Sequence, residues 1–161
     1  MQHFLQIAFN ESYKGPCTKT VRSKLEQMYL SYRQDLLKVM SKINYVSLTS
    51  DMWSNSRGQS YICLTAHVMS NLYENIPLLI GFRRFKGTHT AESIRKYISY
   101  ELQRSGIEYY RITSITTDNA TNFKSAMSTA EFGVHFTCAC HNLNLVVHKG
   151  VCLWKKPNPN K

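Results

Sequence analysis

The sequence predicts an α/β domain in which helices pack on a mixed sheet. Strand-like and helical patterns follow one another in the order β-β-β-α-β-α-β-α, which is typical of this class. In addition, two aspartates directly follow short β-branched and apolar runs, where a parallel sheet presents its functional groups. The 161 residues, 43% of them apolar, are enough for one domain with a substantial core. We therefore expect one domain plus an extension.

The extension is a long amphipathic helix predicted at residues 18–43, with Thr18 or Thr20 as its cap. Residues 1–17, which end in a Lys-Gly-Pro sequence followed by Cys17, are predicted to be an irregular segment. One face of the helix is apolar, with steps of four and three residues between its members. That face can pack on the domain itself, or alternatively form a dimer interface. Its members are Val21, Leu25, Met28, Tyr32, Leu36, Val39 and Ile43.

Three strands are predicted next, at residues 45–50, 61–69 and 76–85. Polar and turn-forming residues separate them, and the connection from Asn71 to Asn75 is short enough for a hairpin. The three strands are therefore expected to form an antiparallel meander. The second run is continuously apolar, which suits a central strand buried on both faces.

A helix follows Gly87, with Thr90 as its cap and Gly106 as its stop. The fourth strand is predicted at residues 111–117, followed by a shorter helix to about residue 130. The fifth strand spans residues 135–139 and leads into a helix that begins near Asn142. Residues 44–149 thus form the predicted domain, and the polar, proline-broken residues 150–161 are predicted to be a disordered tail.

The charge balance is strongly basic. Twenty Lys and Arg face ten Asp and Glu, and the pI is near 9.5, so the surface should attract a polyanion, of which nucleic acid is the commonest. Ribosomal and membrane-surface proteins share this balance. The basic residues near strand ends and loops are either a groove that follows phosphates or ordinary solvated charges. They are Arg57, Arg83, Arg84, Lys86, Arg111 and Lys124.

The cysteine count and the hydropathy indicate where the protein works. Five cysteines are an odd number, and Cys63 lies in a strand-like run, where a buried free thiol is the ordinary interpretation. We expect a reducing, intracellular compartment. No run of about 18 apolar residues and no signal peptide is evident, so we expect a soluble protein without membrane association.

Asp51 and Asp118 are the best candidates for a shared metal site. Asp51 closes the first predicted strand and Asp118 the fourth, which resembles the arrangement of the ribonuclease H-like fold, whose first and fourth strands lie side by side. Carboxylates there hold divalent cations that activate the attacking oxygen and stabilise the leaving oxygen. The alternative is that Asp51 caps a turn and Asp118 caps the following helix. Trp53 is expected to pack against the sheet rather than to stack on a flipped base.

Several motifs in order and spacing resemble the hAT superfamily of DNA transposases, including the zinc finger BED domain-containing proteins descended from them. The resemblance runs from about Pro16 to Lys149. The first motifs are TSDMW at residues 49–53, the segment from Ser60 to His67, and GTHT at 87–90. The later ones are TDNA at 117–120 with Asn122, Cys138 with His141, and LNL at 143–145.

The resemblance implies a ribonuclease H-like core that acts on DNA with Mg²⁺ or Mn²⁺, in the nucleus. Asp51 and Asp118 match the family's first two catalytic aspartates, which are also its metal ligands, and Cys138 and His141 match a Cys-x-x-His motif. The histidine is expected to help hold the region of the scissile phosphate. Two such residues are fewer than a structural zinc site requires, so no zinc site is expected.

The third catalytic acid of the family is a glutamate on a helix beyond the Cys-His motif, and the chain departs from the family pattern at this acid. After Asp118 the only acid is Glu131, which precedes the fifth strand. Glu92 stands in the first turn of a helix, where stabilising the helix dipole is its simpler role. A BED finger and the family's dimerisation region are also missing from the pattern, so the chain resembles a core truncated at its C-terminus.

We therefore expect a fragment of a hAT-type transposase or of a transposase-derived protein. The fragment would bind DNA but be catalytically inactive alone. One alternative is a domesticated, non-catalytic nuclear regulator whose helix at 18–43 recruits a partner. A second alternative is a Mg²⁺-dependent nuclease that uses Glu92.

Overall fold

A computed structural model describes residues 15–151, which divide into two compact units between Lys38 and Val39. The predicted segment 1–17 and tail 150–161 lie mostly outside the described residues. Residues 15–17 have no regular structure, and the last helix continues to Val151. None of the helices within residues 15–151 is both long and apolar enough to span a membrane.

The first helix, α1 (Thr18–Met40), begins where predicted and ends three residues earlier than predicted. It contains neither proline nor glycine, so its backbone hydrogen bonds run without interruption. Beyond Met40 the chain turns, and the guanidinium of the buried Arg111 donates hydrogen bonds to the main-chain oxygens of Met40 and Ile43. The Met40 carbonyl also accepts from the Ile43 amide at 3.3 Å, so the arginine adds a charged donor at the end of this helix. Many apolar side chains of α1 are exposed, including Leu25 and Met28.

The remaining elements occur in the predicted order β-β-β-α-β-α-β-α. Two short 3₁₀ turns, Tyr109–Arg111 and Ala130–Phe132, precede the fourth and fifth strands. The strands are β1 (Val46–Ser54), β2 (Ser60–Met69), β3 (Asn75–Phe85), β4 (Ile112–Thr117) and β5 (Val134–Thr137). The helices are α2 (Ala91–Arg104), α3 (Thr121–Ala126) and α4 (Ala139–Val151).

The five strands form one mixed sheet in the order β3-β2-β1-β4-β5. The meander of β1, β2 and β3 is antiparallel, as predicted, while β4 runs parallel to β1 and β5 parallel to β4. The adjacency of the first and fourth strands is confirmed. This arrangement brings the carboxyl ends of β1, β4 and β5 to one edge of the sheet, where ligands bind in folds of this kind.

One face of the sheet is buried and the other is open. Along β2, residues from Ser60 to Val68 alternate between buried and half-buried, so the prediction that this strand is buried on both faces is wrong. The physical reason is that α2 covers the buried face, with Ile94, Ile98 and Leu102 fully buried, whereas the opposite face keeps part of its surface exposed.

Close approach between α2 and β3 depends on Gly81. A Cβ added there would lie 2.6 Å from the Glu101 Cγ and 2.7 Å from the Tyr97 hydroxyl oxygen. The space instead admits the buried carboxylate of Glu101, which is ion-paired with Arg83 and Arg104. Glycine is therefore the residue that lets this buried acid pack under the strand.

The start of α2 is also as predicted. The hydroxyl of Thr90 accepts a hydrogen bond from the Ser93 amide at 3.2 Å, which makes Thr90 the cap. The helix ends at Arg104, and Gly106 follows with a φ of +67°, the left-handed conformation that favours glycine.

Candidate metal and nucleic-acid site

Two aspartates directly follow the last paired residues of two neighbouring parallel strands. Ser50 is paired with Thr117 at the end of the β1–β4 ladder, and Asp51 and Asp118 come next along the chain. Because adjacent strands lie about 4.8 Å apart, the two aspartates follow neighbouring backbone positions, Asp51 within β1 and Asp118 just beyond the end of β4. The prediction that Asp51 closes β1 is wrong, because the strand continues to Ser54 in its pairing with β2. What ends at Ser50 is the pairing with β4.

The hydrogen bonds of the two carboxylates are compatible with a shared cation. Oδ1 of Asp51 accepts a bond from the Met52 amide at 2.9 Å, and Oδ1 of Asp118 accepts one from the Ala120 amide at 3.0 Å. The second oxygen of each carboxylate is thereby left as a hard ligand. Mg²⁺ is commonly held by one or two carboxylates together with water and phosphate oxygens, so the two aspartates fit such an ion.

The backbone beside Asp118 is fixed by groups from β5 and the residue that follows it. The Cys138 amide donates to the Thr117 carbonyl at 2.7 Å. The Thr117 hydroxyl donates to the Asp118 carbonyl at 3.0 Å and also contacts Nε2 of His135 at 2.9 Å. Burial, with a smaller contribution from the positive charge of Lys124, lowers the pKa of His135. His135 was not predicted from the sequence, because its contact with Thr117 depends on the β4–β5 register, which spacing along the chain does not reveal.

The Cys-x-x-His motif lies at the start of α4. Cys138 directly precedes the helix, and its carbonyl accepts a hydrogen bond from the Asn142 amide at 3.1 Å. His141 is half-buried in the first turn, on the same side as Cys138 because the two are three residues apart. The hydrogen bond between Cys138 and Thr117 places the start of this helix beside the residue that precedes Asp118.

Cys63 is a neighbour of Asp51 that the sequence did not predict. The two residues are direct cross-strand partners in the β1–β2 hairpin. Burial, and to a lesser extent the negative charge of Asp51, raises the pKa of this thiol. The contact could have been found by extending the predicted first strand to the turn at Asn55 and pairing its residues with the second strand outward from that turn. Cys63 is free, as are the other cysteines within residues 15–151, which are Cys17, Cys138 and Cys140.

The two glutamates considered from sequence are not brought to the aspartates. Glu92 is exposed in the first turn of α2 and forms an ion pair with Lys96 at 2.7 Å; the hydrogen bond from Lys96 lowers the pKa of the carboxyl. Glu131 lies in the 3₁₀ turn before β5. Among the described residues, no three His, Cys, Asp or Glu side chains are grouped as metal ligands.

Four of the predicted basic residues lie at the end of the sheet that carries the aspartates. Arg57 lies in the β1–β2 turn, and Arg84 is paired with Tyr61 in the β2–β3 ladder, with Lys86 just beyond that strand. Lys124 lies on α3, which follows β4. We call these four exposed residues the basic rim.

The other two arginines have structural partners. Arg83 is bound to the buried Glu101, and its guanidinium carbon lies 4.7 Å from the centre of the Tyr100 ring. Strand alternation puts Arg83 and Arg84 on opposite faces of β3. Arg111 is buried and donates to main-chain oxygens, so its donors are used within the fold. The acceptors are Met40, Ile43 and Gly106.

An aromatic cluster borders the site on the open face of the sheet. Trp53 stacks on Tyr61 with 6.0 Å between ring centres, and Phe82 lies 5.8 Å from Trp53 and 6.1 Å from Tyr61. Trp53 therefore packs on the sheet, as predicted, and remains 41% exposed.

Comparison with known proteins gives two kinds of match. Residues 49–141 match the family model described as the ZBED1 RNase-like domain. The chain is 25% identical over 146 residues to the "Putative transcriptional regulator tpeD" of Talaromyces stipitatus, covering 83% of this chain and 17% of that protein. It is 25% identical over 151 residues to the "Putative AC transposase" and the "Putative AC9 transposase" of Zea mays, covering 83% of this chain and 18% of each.

The chain spans less than a fifth of the length of these curated relatives. The family model, in contrast, covers more than half of the chain and includes both aspartates, the aromatic cluster and the Cys-x-x-His motif. The mixed sheet with β1 beside β4 agrees with the ribonuclease H-like fold that the motifs implied. This chain belongs to the ZBED1 RNase-like domain family, among the proteins related to hAT transposases.

Proposed function

We propose that this domain is a DNA-binding core of a transposase-derived nuclear protein, in which Asp51 and Asp118 hold a divalent cation, Mg²⁺ or Mn²⁺. The observation that carries the proposal is their placement directly after the paired residues Ser50 and Thr117. The ion would supply positive charge to a DNA phosphate and polarise its oxygen. The two carboxylates would hold the ion, and His141 would contact the phosphate.

The basic rim supports DNA as the partner. Its four cationic side chains lie at the same end of the sheet as an acidic pair that would otherwise repel a phosphate backbone, and the chain as a whole carries a net charge of +10. Contacts of this kind are independent of base sequence and weaken as salt rises, because bound phosphates release counterions. We therefore propose weak, salt-sensitive DNA binding without marked sequence preference.

Two matched double variants test the DNA interface. Arg84→Ala with Lys86→Ala removes one arginine and one lysine from the basic rim, whereas Arg95→Ala with Lys96→Ala removes the same pair from α2. Fluorescence anisotropy with duplex DNA over a salt series should show weaker binding and a shallower salt slope for the first variant only. The slope should fall by about 0.9 for each lost phosphate contact. Equal effects of the two variants would refute an interface at the rim.

We further propose that the domain does not cleave DNA by itself. Two-metal displacement requires carboxylates around both cations, and among the described residues no third acid is grouped with the aspartate pair. Removal of one group from a catalytic set commonly costs orders of magnitude in rate. A non-catalytic regulatory role is also supported by the similarity to a protein named as a transcriptional regulator.

A second proposal concerns α1, most of whose apolar side chains are exposed, although Leu36 and Met40 near its end are buried. Leu25 and Met28 are 60% and 59% exposed, and their spacing continues the four-and-three pattern with which two helices pair. We propose that α1 pairs with α1 of a second copy. Light scattering after size exclusion should show a dimer that Leu25→Glu with Met28→Glu converts to a monomer.

The control for the dimer is the same kind of change on another exposed helix. Leu143 and Val146 of α4 are 65% and 66% exposed, so Leu143→Glu with Val146→Glu should leave the dimer intact. A wild-type mass equal to that of the monomer at every concentration would rule out pairing through α1.

A further inference from the structure

A buried hydroxyl connects the second aspartate to the fifth strand. Thr117 is 1% exposed, and its Oγ1 lies 3.0 Å from the Asp118 carbonyl oxygen and 2.9 Å from Nε2 of His135. In the parallel β4–β5 ladder, the strand partner of Thr117 is Thr137, and that of His135 is Ile115. His135 therefore reaches diagonally across the ladder to the residue that precedes Asp118.

The bond from the Thr117 hydroxyl to the Asp118 carbonyl bears on the tautomer of His135, on which the direction of the second bond depends. A carbonyl oxygen can only accept, so the single proton of the Thr117 hydroxyl is directed to Asp118. The hydroxyl oxygen then accepts from the imidazole, which requires a proton on Nε2. The resulting chain of donors runs from His135 Nε2 to Thr117 Oγ1 and on to the Asp118 carbonyl.

The two aspartates depend on this chain of donors to different extents. Asp51 lies inside β1, where its pairing with Cys63 holds the backbone. Asp118 lies one residue beyond the end of β4. Its backbone is held instead by the Thr117 hydroxyl and by the bond from the Cys138 amide to the Thr117 carbonyl. The position of Asp118 relative to Asp51 therefore depends on the β5 side as well as on the pairing of Thr117 with Ser50.

We infer that His135 is a positioning residue for the aspartate pair. By donating from Nε2, it orients the Thr117 hydroxyl that holds the Asp118 carbonyl, and so fixes how far the Asp118 carboxylate lies from that of Asp51. His135 acts through Thr117 and does not itself ligate the ion. The inference rests on the proposed metal site, and outer-shell groups of this kind tune metal affinity by holding the ligands in place.

The first test is spectroscopic and needs no metal. Long-range ¹H–¹⁵N correlation on the labelled 161-residue chain at neutral pH distinguishes the two tautomers of a histidine ring. The expected result for His135 is a protonated Nε2 and an unprotonated Nδ1, with its signals identified by their loss in His135→Gln. A ring protonated on Nδ1 alone would overturn the inference.

The second test uses matched pairs of variants in a Mn²⁺ titration. His135→Gln keeps an N–H donor and His135→Leu removes it, while Thr117→Ser keeps the hydroxyl and Thr117→Val removes it. His135→Leu and Thr117→Val should each weaken binding about tenfold, and the other two should keep most of the affinity. The double variant His135→Leu with Thr117→Val should be no weaker than the weaker single variant, because both act through one chain of donors.

Two outcomes would count against the positioning role. One is wild-type Mn²⁺ affinity in His135→Leu, and the other is an equal loss in His135→Gln, which would indicate a packing effect. If His135→Leu does not fold, the Thr117 pair decides by the same comparison. Thermal unfolding of each variant separates lost stability from lost affinity.

Failure of the metal site itself has a different signature. If the wild-type chain binds no Mn²⁺, or if Asp51→Asn leaves its affinity unchanged, the proposed function is wrong at that point. Hydrogen exchange of the Ala120 amide, which donates to the Asp118 carboxylate, then tests the positioning role. It should be faster in His135→Leu and Thr117→Val than in His135→Gln and Thr117→Ser, and equal rates would overturn the inference.

Discussion

Ser50 lies beside Thr117 in the parallel pairing of β1 with β4, and each of the two is followed by an aspartate. Both paired residues are buried, so the sheet fixes the backbone positions from which the two aspartate side chains extend. Parallel strands run in one direction, so the residues that follow a paired position lie on the same side of that pair along the sheet, although β1 itself continues to Ser54. This single register relationship brings together two acids that are far apart in the sequence.

Removal of either aspartate should weaken divalent metal binding. Asp51→Asn and Asp118→Asn each delete a charged ligand, so the loss of Mn²⁺ affinity should exceed the roughly tenfold effect of losing an outer-shell partner. Calorimetric titration would measure it. Glu92→Gln makes the same charge change on an exposed residue paired with Lys96 and should leave the affinity unchanged. An equal effect of all three variants would indicate non-specific attraction of the cation.

The isolated chain should not nick supercoiled plasmid in the presence of Mg²⁺ or Mn²⁺ above the level of a double Asp51→Asn, Asp118→Asn variant. The physical reason is that a two-metal displacement stabilises charge at both the attacking and the leaving oxygen. Gel electrophoresis of the plasmid provides the measurement. Mg²⁺-dependent nicking that Glu92→Ala abolishes and Glu131→Ala preserves would instead support the nuclease alternative.

Arg111→Met should destabilise the domain by about 3 kcal/mol, because it removes a charged donor from three main-chain oxygens, and a buried carbonyl left without a donor costs about 1–3 kcal/mol. The arginine donates to Gly106, Met40 and Ile43. Chemical denaturation followed by circular dichroism would measure the free energy of unfolding. Arg57→Met, in an exposed turn, should change it by no more than about 0.5 kcal/mol. An unchanged unfolding midpoint for Arg111→Met would contradict the capping role.

Alkylation should distinguish two of the free thiols. A hydrogen bond with the Thr20 side chain lowers the pKa of Cys17, whereas burial raises the pKa of Cys63. At any pH below both values, Cys17 therefore has the larger thiolate fraction, and the thiolate is the reactive form. Iodoacetamide under native conditions should modify Cys17 first, as read by peptide mass spectrometry. Faster modification of Cys63 would show that the β1–β2 hairpin opens readily.

Much of the local structure followed from sequence patterns. The apolar run of β2 and the step pattern of α2 predicted these elements because side-chain period differs between strands and helices. The Thr90 cap was equally predictable, since its partner, the Ser93 amide, lies only three residues away. The end of β1 was not, because Asp51 to Ser54 remain strand only through their pairing with β2.

The candidate site was predictable only in part. Asp51, Asp118 and the Cys138–His141 motif were found because their motifs are local. The separate roles of Arg83 and Arg84 were hidden, since adjacent basic residues look alike until one of them meets the buried Glu101. His135 had no local signal of any kind, because its partner lies on another strand.

The sequence alone determined the order of the elements, the basic charge and the two aspartates, because each depends on composition or on residues close together in the chain. Tertiary structure decided which face of the sheet is buried, which arginines remain available to a ligand and which groups hold Asp118. These outcomes depend on register and packing between segments far apart in sequence. The residue pattern of a single strand therefore does not predict them.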